Sequence, residues 1–247
     1  MARKLIVIGA GMGGLTAALY LAQRGYQVQV FEARDRAGGL ASGHVVEGLR
    51  FDAGPYILLD RPGLEWAFNR LDFKLDDHIE LCHIDSVYEV ASPSSPAIRF
   101  YHGRDQTAHG IESNWAGSAH HYLNFISRTE TIYQRLQPLQ WMSRPGLRHL
   151  VRTGAWRDAA FLLRSLGTFL SGMHLPQPLI NAIGIWTHVA GQTLAKAPSP
   201  LAFVPALIHR FGAYYPAGGI GAIPEALTEQ ARAAGVSVHY QTIVDCT

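Results

Sequence analysis

Residues 4–15 read KLIVIGAGMGGL, and this stretch decides how the first part of the chain folds. Lys4 to Ile8 is rich in β-branched residues and predicts a buried parallel strand. Apolar residues at spacings of three and four predict a helix from Met12 to Arg24, and Gly25 is typical of a helix C-cap. Tyr26 to Glu32 predicts a second strand. Strand, helix and strand within about thirty residues form a βαβ unit with a right-handed crossover.

The glycine loop between the first strand and the helix has the spacing of a dinucleotide site. Gly9 permits the tight turn, Gly11 lets the backbone approach a pyrophosphate, and Gly14 lets the helix pack close to the strand. The phosphates then meet free N–H groups at the positive end of the helix. Glu32 ends the second strand, where a carboxylate accepts hydrogen bonds from the ribose hydroxyls of an adenosine. The alternative is a glycine-rich turn of an unrelated α/β protein, but here strand, helix, capping glycine and acid all occur in register.

A second glycine pair follows the acid. Residues 32–39 read EARDRAGG, and Gly38-Gly39 lets another loop run close to a cofactor. Arg34 and Arg36 are either neutralisers of phosphate or members of a solvated basic loop. This extension resembles the FAD-dependent amine-oxidase and carotenoid-desaturase superfamily and is not typical of plain NAD dehydrogenases.

Two further stretches resemble bacterial phytoene desaturases and related carotenoid desaturases, isomerases and retinol saturases. They are FDAGP at 51–55 and YPAGG at 215–219, the latter followed by a predicted helix over 220–234, a capping Gly235 and a strand over 236–240. The resemblance implies FAD as cofactor and a return of the chain into the FAD domain, where the backbone of the residue matching Val244 touches the adenine. The resemblance and the glycine motif together predict these cofactor-binding residues: Gly9, Gly11, Gly13, Gly14, Glu32, Arg34, Gly38, Gly39, Leu40 and Val244. Leu40 departs from the family, whose members commonly have Arg at that position.

The predicted fold class is α/β, with a Rossmann-like FAD-binding domain interrupted by a largely helical α+β substrate domain. We expect residues 1–75 and 213–247 to form the FAD-binding domain and residues 76–212 the substrate domain. The latter contains short antiparallel strands over 79–103, with a turn at 92–96, and helices over 117–190 that break near Pro138, Pro145 and Pro176. The 247 residues are about half the length typical of the family, so we expect the N-terminal half of such an enzyme.

Composition narrows the functional classes. The net charge of +2 is too small to indicate nucleic-acid binding. Cys82 and Cys246 are far apart, which argues against a disulfide framework or a zinc site and fits a reducing, cytoplasmic location. The twelve histidines are scattered, so no metal site is predicted.

Residues 141–170 carry an unusual charge pattern. They hold five arginines against one acid, interleaved with tryptophan, methionine and leucine. Arg148 and Arg152 share a helix face. This pattern predicts either peripheral association with an anionic membrane, which suits an apolar substrate, or an ordinary helix with a solvated basic face.

The chemistry implied by the resemblance is desaturation, isomerisation or saturation of an apolar polyene, in which flavin accepts or donates a hydride. No catalytic residue is predicted. Asp52 is either a group near the flavin or a loop acid that caps backbone N–H groups. The alternatives are an amine-oxidase-like flavoenzyme acting on a polar amine, a binding protein related to GDP-dissociation inhibitors, and a non-catalytic FAD-binding fragment.

Overall fold

The fold is described from a computed structural model that covers residues 3–245. The chain divides into two compact units. One contains the residues up to His83 together with those from Ala213 onward, and the other contains Ile84–Gly212. The first unit therefore consists of two separate stretches of sequence, and the second is inserted between them.

The first unit contains both strands and helices, and helices dominate the second. In chain order they are β1 (Lys4–Ile8), α1 (Met12–Ala22), β2 (Gln27–Phe31), β3 (Gly43–Val46), β4 (Leu49–Asp52), α2 (Arg61–Asn69), β5 (Leu81–Ile84), β6 (Ser86–Ser92), β7 (Ser95–Tyr101), α3 (Arg104–Asn114), α4 (Ser118–Gln140), α5 (Leu147–Thr153), α6 (Ala159–Leu162), α7 (Leu166–Ser171), α8 (Gln177–Gly184), α9 (Phe203–Phe211), β8 (Ala213–Pro216), α10 (Ala222–Ala233) and β9 (Ser237–His239).

The first unit is built on a parallel three-stranded sheet in the order β1-β2-β9. Helices α1 and α10 pack on one face of it, where Leu15, Val30 and Leu227 are fully buried. Helix α1 ends two residues earlier than predicted, with Gln23 as its C-cap, and Gly25, at φ +81°, ends the turn that follows. The predicted βαβ unit and the predicted return helix and strand are therefore confirmed; β1 has the predicted bounds, and the other elements of these units are two or three residues shorter than predicted.

The prediction that β1 is buried is wrong for one of its faces. Leu5 and Val7 are half-buried against the helices, but Ile6 and Ile8 are 64% and 60% exposed. Strand β1 forms an edge of the sheet, and within residues 3–245 no element covers the face on which Ile6 and Ile8 lie. Side chains alternate between the faces of a strand, so an uncovered face exposes every second residue.

The second unit combines a hairpin with a cluster of helices. Strands β6 and β7 pair antiparallel, and the turn between them is shorter than the predicted 92–96 because both strands extend into that range. Helix α4 is the longest, with Tyr122 and Phe125 fully buried in the core of the unit. Pro138 lies inside α4 and does not break it, which corrects the prediction. It lies two residues from the helix end, so only the last turn of the helix is affected by its missing N–H and its ring.

No helix within residues 3–245 is long and apolar enough to cross a membrane. Cys82 is a free and exposed thiol, and Cys246 lies outside the described residues.

Candidate dinucleotide site

The first glycine loop joins β1 directly to α1. Gly9 has φ +94°, a backbone conformation that L side chains rarely adopt. A Cβ on Gly14 would lie 2.0 Å from the carbonyl oxygen of Gly9, so the first turn of α1 packs against the loop backbone. Gly11 precedes the helix as its N-cap residue and offers no side chain. The first turn of α1 therefore presents its N–H groups without an obstructing side chain, as a phosphate site requires.

Glu32 is the acid of the site, and it is only 8% exposed. Its Oε2 accepts a hydrogen bond from the N–H of Ala10 at 2.6 Å, and its Oε1 accepts one from the N–H of Arg34 at 2.9 Å. The carboxylate thus joins the glycine loop to the segment that follows β2. A carboxylate has about four acceptor positions, so two remain for the hydroxyls of a ribose.

The second glycine loop contacts the first. The N–H of Gly38 donates to the carbonyl of Ala10 at 2.8 Å, and a Cβ on Gly39 would lie 3.3 Å from the Cα of Gly11. Both Gly38 and Gly39 have positive φ. The guanidinium of Arg34 donates to the carbonyl of Gly39 at 3.1 Å, which fixes that side chain beside the loop. Two glycine loops from separate parts of the sequence therefore meet beyond the carboxyl ends of the parallel strands β1 and β2.

The motifs at 51–55 and 215–219 also contact each other, which the sequence did not predict. Asp52 accepts hydrogen bonds from the hydroxyl of Tyr215 at 2.7 Å and from the N–H of Ile220 at 2.9 Å. The hydrogen bond to Asp52, reinforced by burial and by the carboxylate charge, raises the pKa of Tyr215. Asp52 therefore acts as the capping acid, and it ties β4 to the turn that leads into α10.

The remaining predicted residues are Leu40, Val244 and Gly13. They lie near the glycine loops, and their contacts do not assign them a role. Leu40 is 75% exposed, and its carbonyl oxygen would lie 2.5 Å from a Cβ on Gly54. Val244 follows Thr242, whose N–H donates to the carbonyl of Glu32 at 2.9 Å. A Cβ on Gly13 would meet no atom within 4 Å. These residues border the site, and their contacts with a cofactor stay predictions.

The side chain of Arg36 forms its contacts with its own loop and with β3. Its guanidinium donates to Asp35 at 2.9 Å and lies 2.7 Å from Nδ1 of His44. These contacts favour the solvated-loop interpretation for this arginine. A nearby cavity of about 320 Å³ includes Arg36 and Ala37 but none of the glycines of the first loop, so it is a separate feature.

The protein has a Rossmann-like dinucleotide-binding fold. The features that define this class are a parallel strand, a glycine loop at a helix N-terminus and a buried acid at the end of the next strand. In agreement, residues 7–71 match the model of the NAD(P)-binding Rossmann-like domain family.

Comparison with curated proteins narrows the class. The chain is 30% identical over 246 residues to a zeta-carotene-forming phytoene desaturase of Myxococcus xanthus, covering 98% of this chain and 48% of that protein. It is 29% identical over 240 residues to a carotenoid 3,4-desaturase of Haloarcula japonica, covering 96% of this chain and 48% of that protein. The predicted resemblance to carotenoid desaturases is therefore confirmed, and the chain spans about half the length of these relatives.

Solved structures share the fold at lower identity. An oxidoreductase from Methanosarcina mazei matches with a TM-score of 0.61 and 19% identity over 97% of this chain and 51% of that chain. Putrescine oxidase matches with a TM-score of 0.60 and 17% identity over 98% and 51%. A Rab GDI from Plasmodium falciparum matches with a TM-score of 0.56 and 13% identity over 99% and 60%. The predicted α/β fold class is confirmed, but fold alone does not separate the alternatives named from the sequence.

Proposed function

We propose that this chain binds the ADP half of FAD and contributes that half-site to a flavin-dependent oxidoreductase acting on an apolar polyene. The observation that carries the proposal is the buried Glu32 carboxylate, hydrogen-bonded to Ala10 at the point where both glycine loops meet. Pairing of Gly38-Gly39 with the first loop matches the extension that distinguishes FAD enzymes of this superfamily from plain NAD enzymes.

The residues present fit such a cofactor. Glu32 would accept hydrogen bonds from the ribose, and the N–H groups at the start of α1 would bind the pyrophosphate. Arg34, held by the carbonyl of Gly39, places a positive charge beside the same loop. When bound, the flavin supplies the capacity to accept or donate a hydride. We assign residues 1–75 and 213–247 to cofactor binding and residues 76–212 to substrate binding.

The substrate class follows from the relatives. The two relatives described above, matched along nearly the whole chain, are by their names desaturases of phytoene and of another carotenoid. The likeness to putrescine oxidase is one of fold alone, because the sequence identity is 17%. This contrast favours an apolar polyene over a polar amine, and the intact acid and second glycine pair favour a bound cofactor over a GDI-like role.

We also propose that the protein associates peripherally with a membrane, from which it draws its apolar substrate. Helix α5 buries none of its residues, and Leu147 and Val151, one turn apart, are 76% and 60% exposed. An ordinary amphipathic helix would pack such residues inward. Arg148 and Arg152 lie on the same short helix, and a helix combining exposed apolar and basic side chains binds at an anionic bilayer surface.

A titration with FAD tests the cofactor proposal. The purified chain should quench the fluorescence of added FAD saturably, and ADP should compete, because the site recognises the ADP half. FMN, which lacks that half, should not bind. A protein that cannot be loaded with FAD, or that binds FMN equally well, would refute the proposed half-site.

A further inference from the structure

A second concave site lies wholly within the second unit and carries a concentration of positive charge. It is a cavity of about 480 Å³ between α4 and the segment 157–169. Arg128 and Arg135 line it from α4, and Arg157, Asp158 and Arg164 line it from the segment. We call it the arginine groove. Four guanidinium groups against one carboxylate leave a net charge of +3 around a single cavity.

One arginine of the groove is fixed by the acid. Arg135 donates to both oxygens of Asp158, from Nε at 2.7 Å and from Nη2 at 2.6 Å. Asp158 is 5% exposed, and its negative charge is compensated by this bidentate ion pair with Arg135. The pair locks the guanidinium plane of Arg135, while its Nη1 is not bonded to Asp158 and retains its donors.

The other three arginines are not neutralised. Arg128 lies over the ring of Phe169 at 5.6 Å, and Arg157 lies over the ring of Trp156 at 5.4 Å. Stacking on a ring positions a guanidinium but leaves its N–H edge available. Within residues 3–245, neither of these arginines nor Arg164 forms an ion pair. Preorganised guanidinium groups without a counter-charge are the usual means by which proteins recognise phosphate.

Apolar side chains border the arginine groove on the same segment. Trp156 is 56% exposed and adjoins Arg157, and Leu163 is 88% exposed and adjoins Arg164. Leu162 is also exposed. Isolated exposed leucines are common, but these three large apolar side chains each lie within two residues of a groove arginine in the sequence, which places apolar contacts beside a phosphate-type site. A soluble phosphate compound has no apolar part to make that contact, whereas a phospholipid presents a phosphate and acyl chains together.

We propose that the arginine groove binds the phosphate of an anionic phospholipid headgroup while Trp156, Leu162 and Leu163 enter the adjoining acyl region. This inference deepens the membrane association in the proposed function and rests on it. It is independent of the flavin, because every residue involved lies in the second unit. The groove would thereby fix how this unit is oriented on the bilayer surface.

Vesicle binding tests the proposal. The chain is sedimented with phosphatidylcholine vesicles that contain one part in four phosphatidylglycerol, and with pure phosphatidylcholine vesicles. Arg157→Gln/Arg164→Gln removes two charges from the groove. The matched control Arg144→Gln/Arg210→Gln removes two exposed charges of the same unit that lie outside both the groove and helix α5. Each surface arginine contributes about fivefold to binding an anionic membrane through charge alone.

The wild type should bind the anionic vesicles in preference to the pure phosphatidylcholine vesicles. The affinity for the anionic vesicles should fall at least tenfold more in the groove variant than in the control. The melting temperatures of both variants should stay unchanged. Equal losses in both variants would show diffuse attraction only and would overturn the groove while leaving membrane association standing. Absence of binding to either vesicle would overturn both. Stabilisation by inorganic phosphate without vesicle binding would assign the groove to a soluble ligand and overturn the lipid proposal. FAD titration of the same samples reports separately on the cofactor site.

Discussion

The carboxylate of Glu32 and the N–H of Ala10 are joined by a 2.6 Å hydrogen bond across 22 residues of sequence. Ala10 is fully buried inside the glycine loop, so this N–H has no access to solvent. The acid that is expected to recognise the ribose therefore also holds the loop that is expected to bind the pyrophosphate. The structure of the glycine loop therefore depends on the side chain that we propose for cofactor recognition.

Replacing Glu32 should separate these two contributions. Glu32→Gln keeps one carbonyl acceptor for a loop N–H but loses the charge, so FAD affinity should fall about tenfold or more, since a hydrogen bond to a charged group is worth about 1.5–3 kcal/mol. Glu32→Ala should additionally destabilise the fold by about 1–3 kcal/mol, because it leaves a buried N–H unsatisfied. FAD titration and urea denaturation measure the two effects.

The control for this experiment is Asp35→Asn. Asp35 carries the same charge in the adjoining segment, but its side chain is 62% exposed and its ion pair is with Arg36. This variant should bind FAD like the wild type. An equal fall in affinity would mean that general electrostatics, and not the position of Glu32, determines cofactor binding.

Gly14 and Gly13 offer a matched test of the packing between α1 and the loop. Gly14→Ala would place a Cβ 2.0 Å from the carbonyl oxygen of Gly9, so it should destabilise the protein by about 1–3 kcal/mol or more through overpacking. Gly13→Ala meets no atom within 4 Å and lies within the helix, where alanine is favoured over glycine by about 1 kcal/mol. Thermal unfolding should move the two melting temperatures in opposite directions. A Gly14→Ala protein as stable as wild type would contradict the close packing described above.

The pair of Asp52 and Tyr215 should be coupled energetically. Tyr215→Phe should cost about 1 kcal/mol, the typical contribution of one hydrogen bond, and Asp52→Ala should cost more because the N–H of Ile220 also loses its acceptor. In a double-mutant cycle the two changes should be less than additive by at least about 0.5 kcal/mol. Strict additivity, measured by urea denaturation, would show that the hydrogen bond does not stabilise the return segment.

Local signals made the first unit predictable from the sequence. The positive φ of Gly9 and Gly25 and the helix between them depend on interactions within a few residues, which spacing and residue type report directly. The position of Glu32 was predictable for a related reason, since a βαβ unit brings the end of the second strand beside the first loop.

Contacts between distant residues were not predictable in this way. Asp52 and Tyr215 both lie in motifs that the sequence singled out, yet nothing in their residue types shows that they touch each other across 163 positions. The exposure of Ile6 and Ile8 also depends on which strands and layers lie beside β1, and β-branched residues read as buried wherever they occur in a run. The arginine groove likewise requires α4 and the segment 157–169 to pack together before its charges converge.

A half-buried histidine should make the second unit sensitive to acid. His209 lies with Nε2 2.7 Å from the hydroxyl of Tyr122 and Nδ1 2.9 Å from the carbonyl of His102. Burial lowers the pKa of His209, and nearby Arg104 acts in the same direction, although the carbonyl of His102 opposes them. The native protein therefore resists protonation that the unfolded chain accepts at about pH 6.5.

The stability contribution of His209 should be complete above about pH 6.5 and should be lost as the pH falls toward the lower native pKa, with a slope of at most about 1.4 kcal/mol per pH unit. His209→Gln should flatten this dependence, because glutamine does not titrate. It should also lower stability at neutral pH by about 1 kcal/mol through the lost bond to Tyr122. Urea denaturation at several pH values measures both effects, and His109→Gln, on an exposed position of α3, is the control. If wild type and His209→Gln gave parallel curves below about pH 6.5, the acid sensitivity would have to arise elsewhere in the chain.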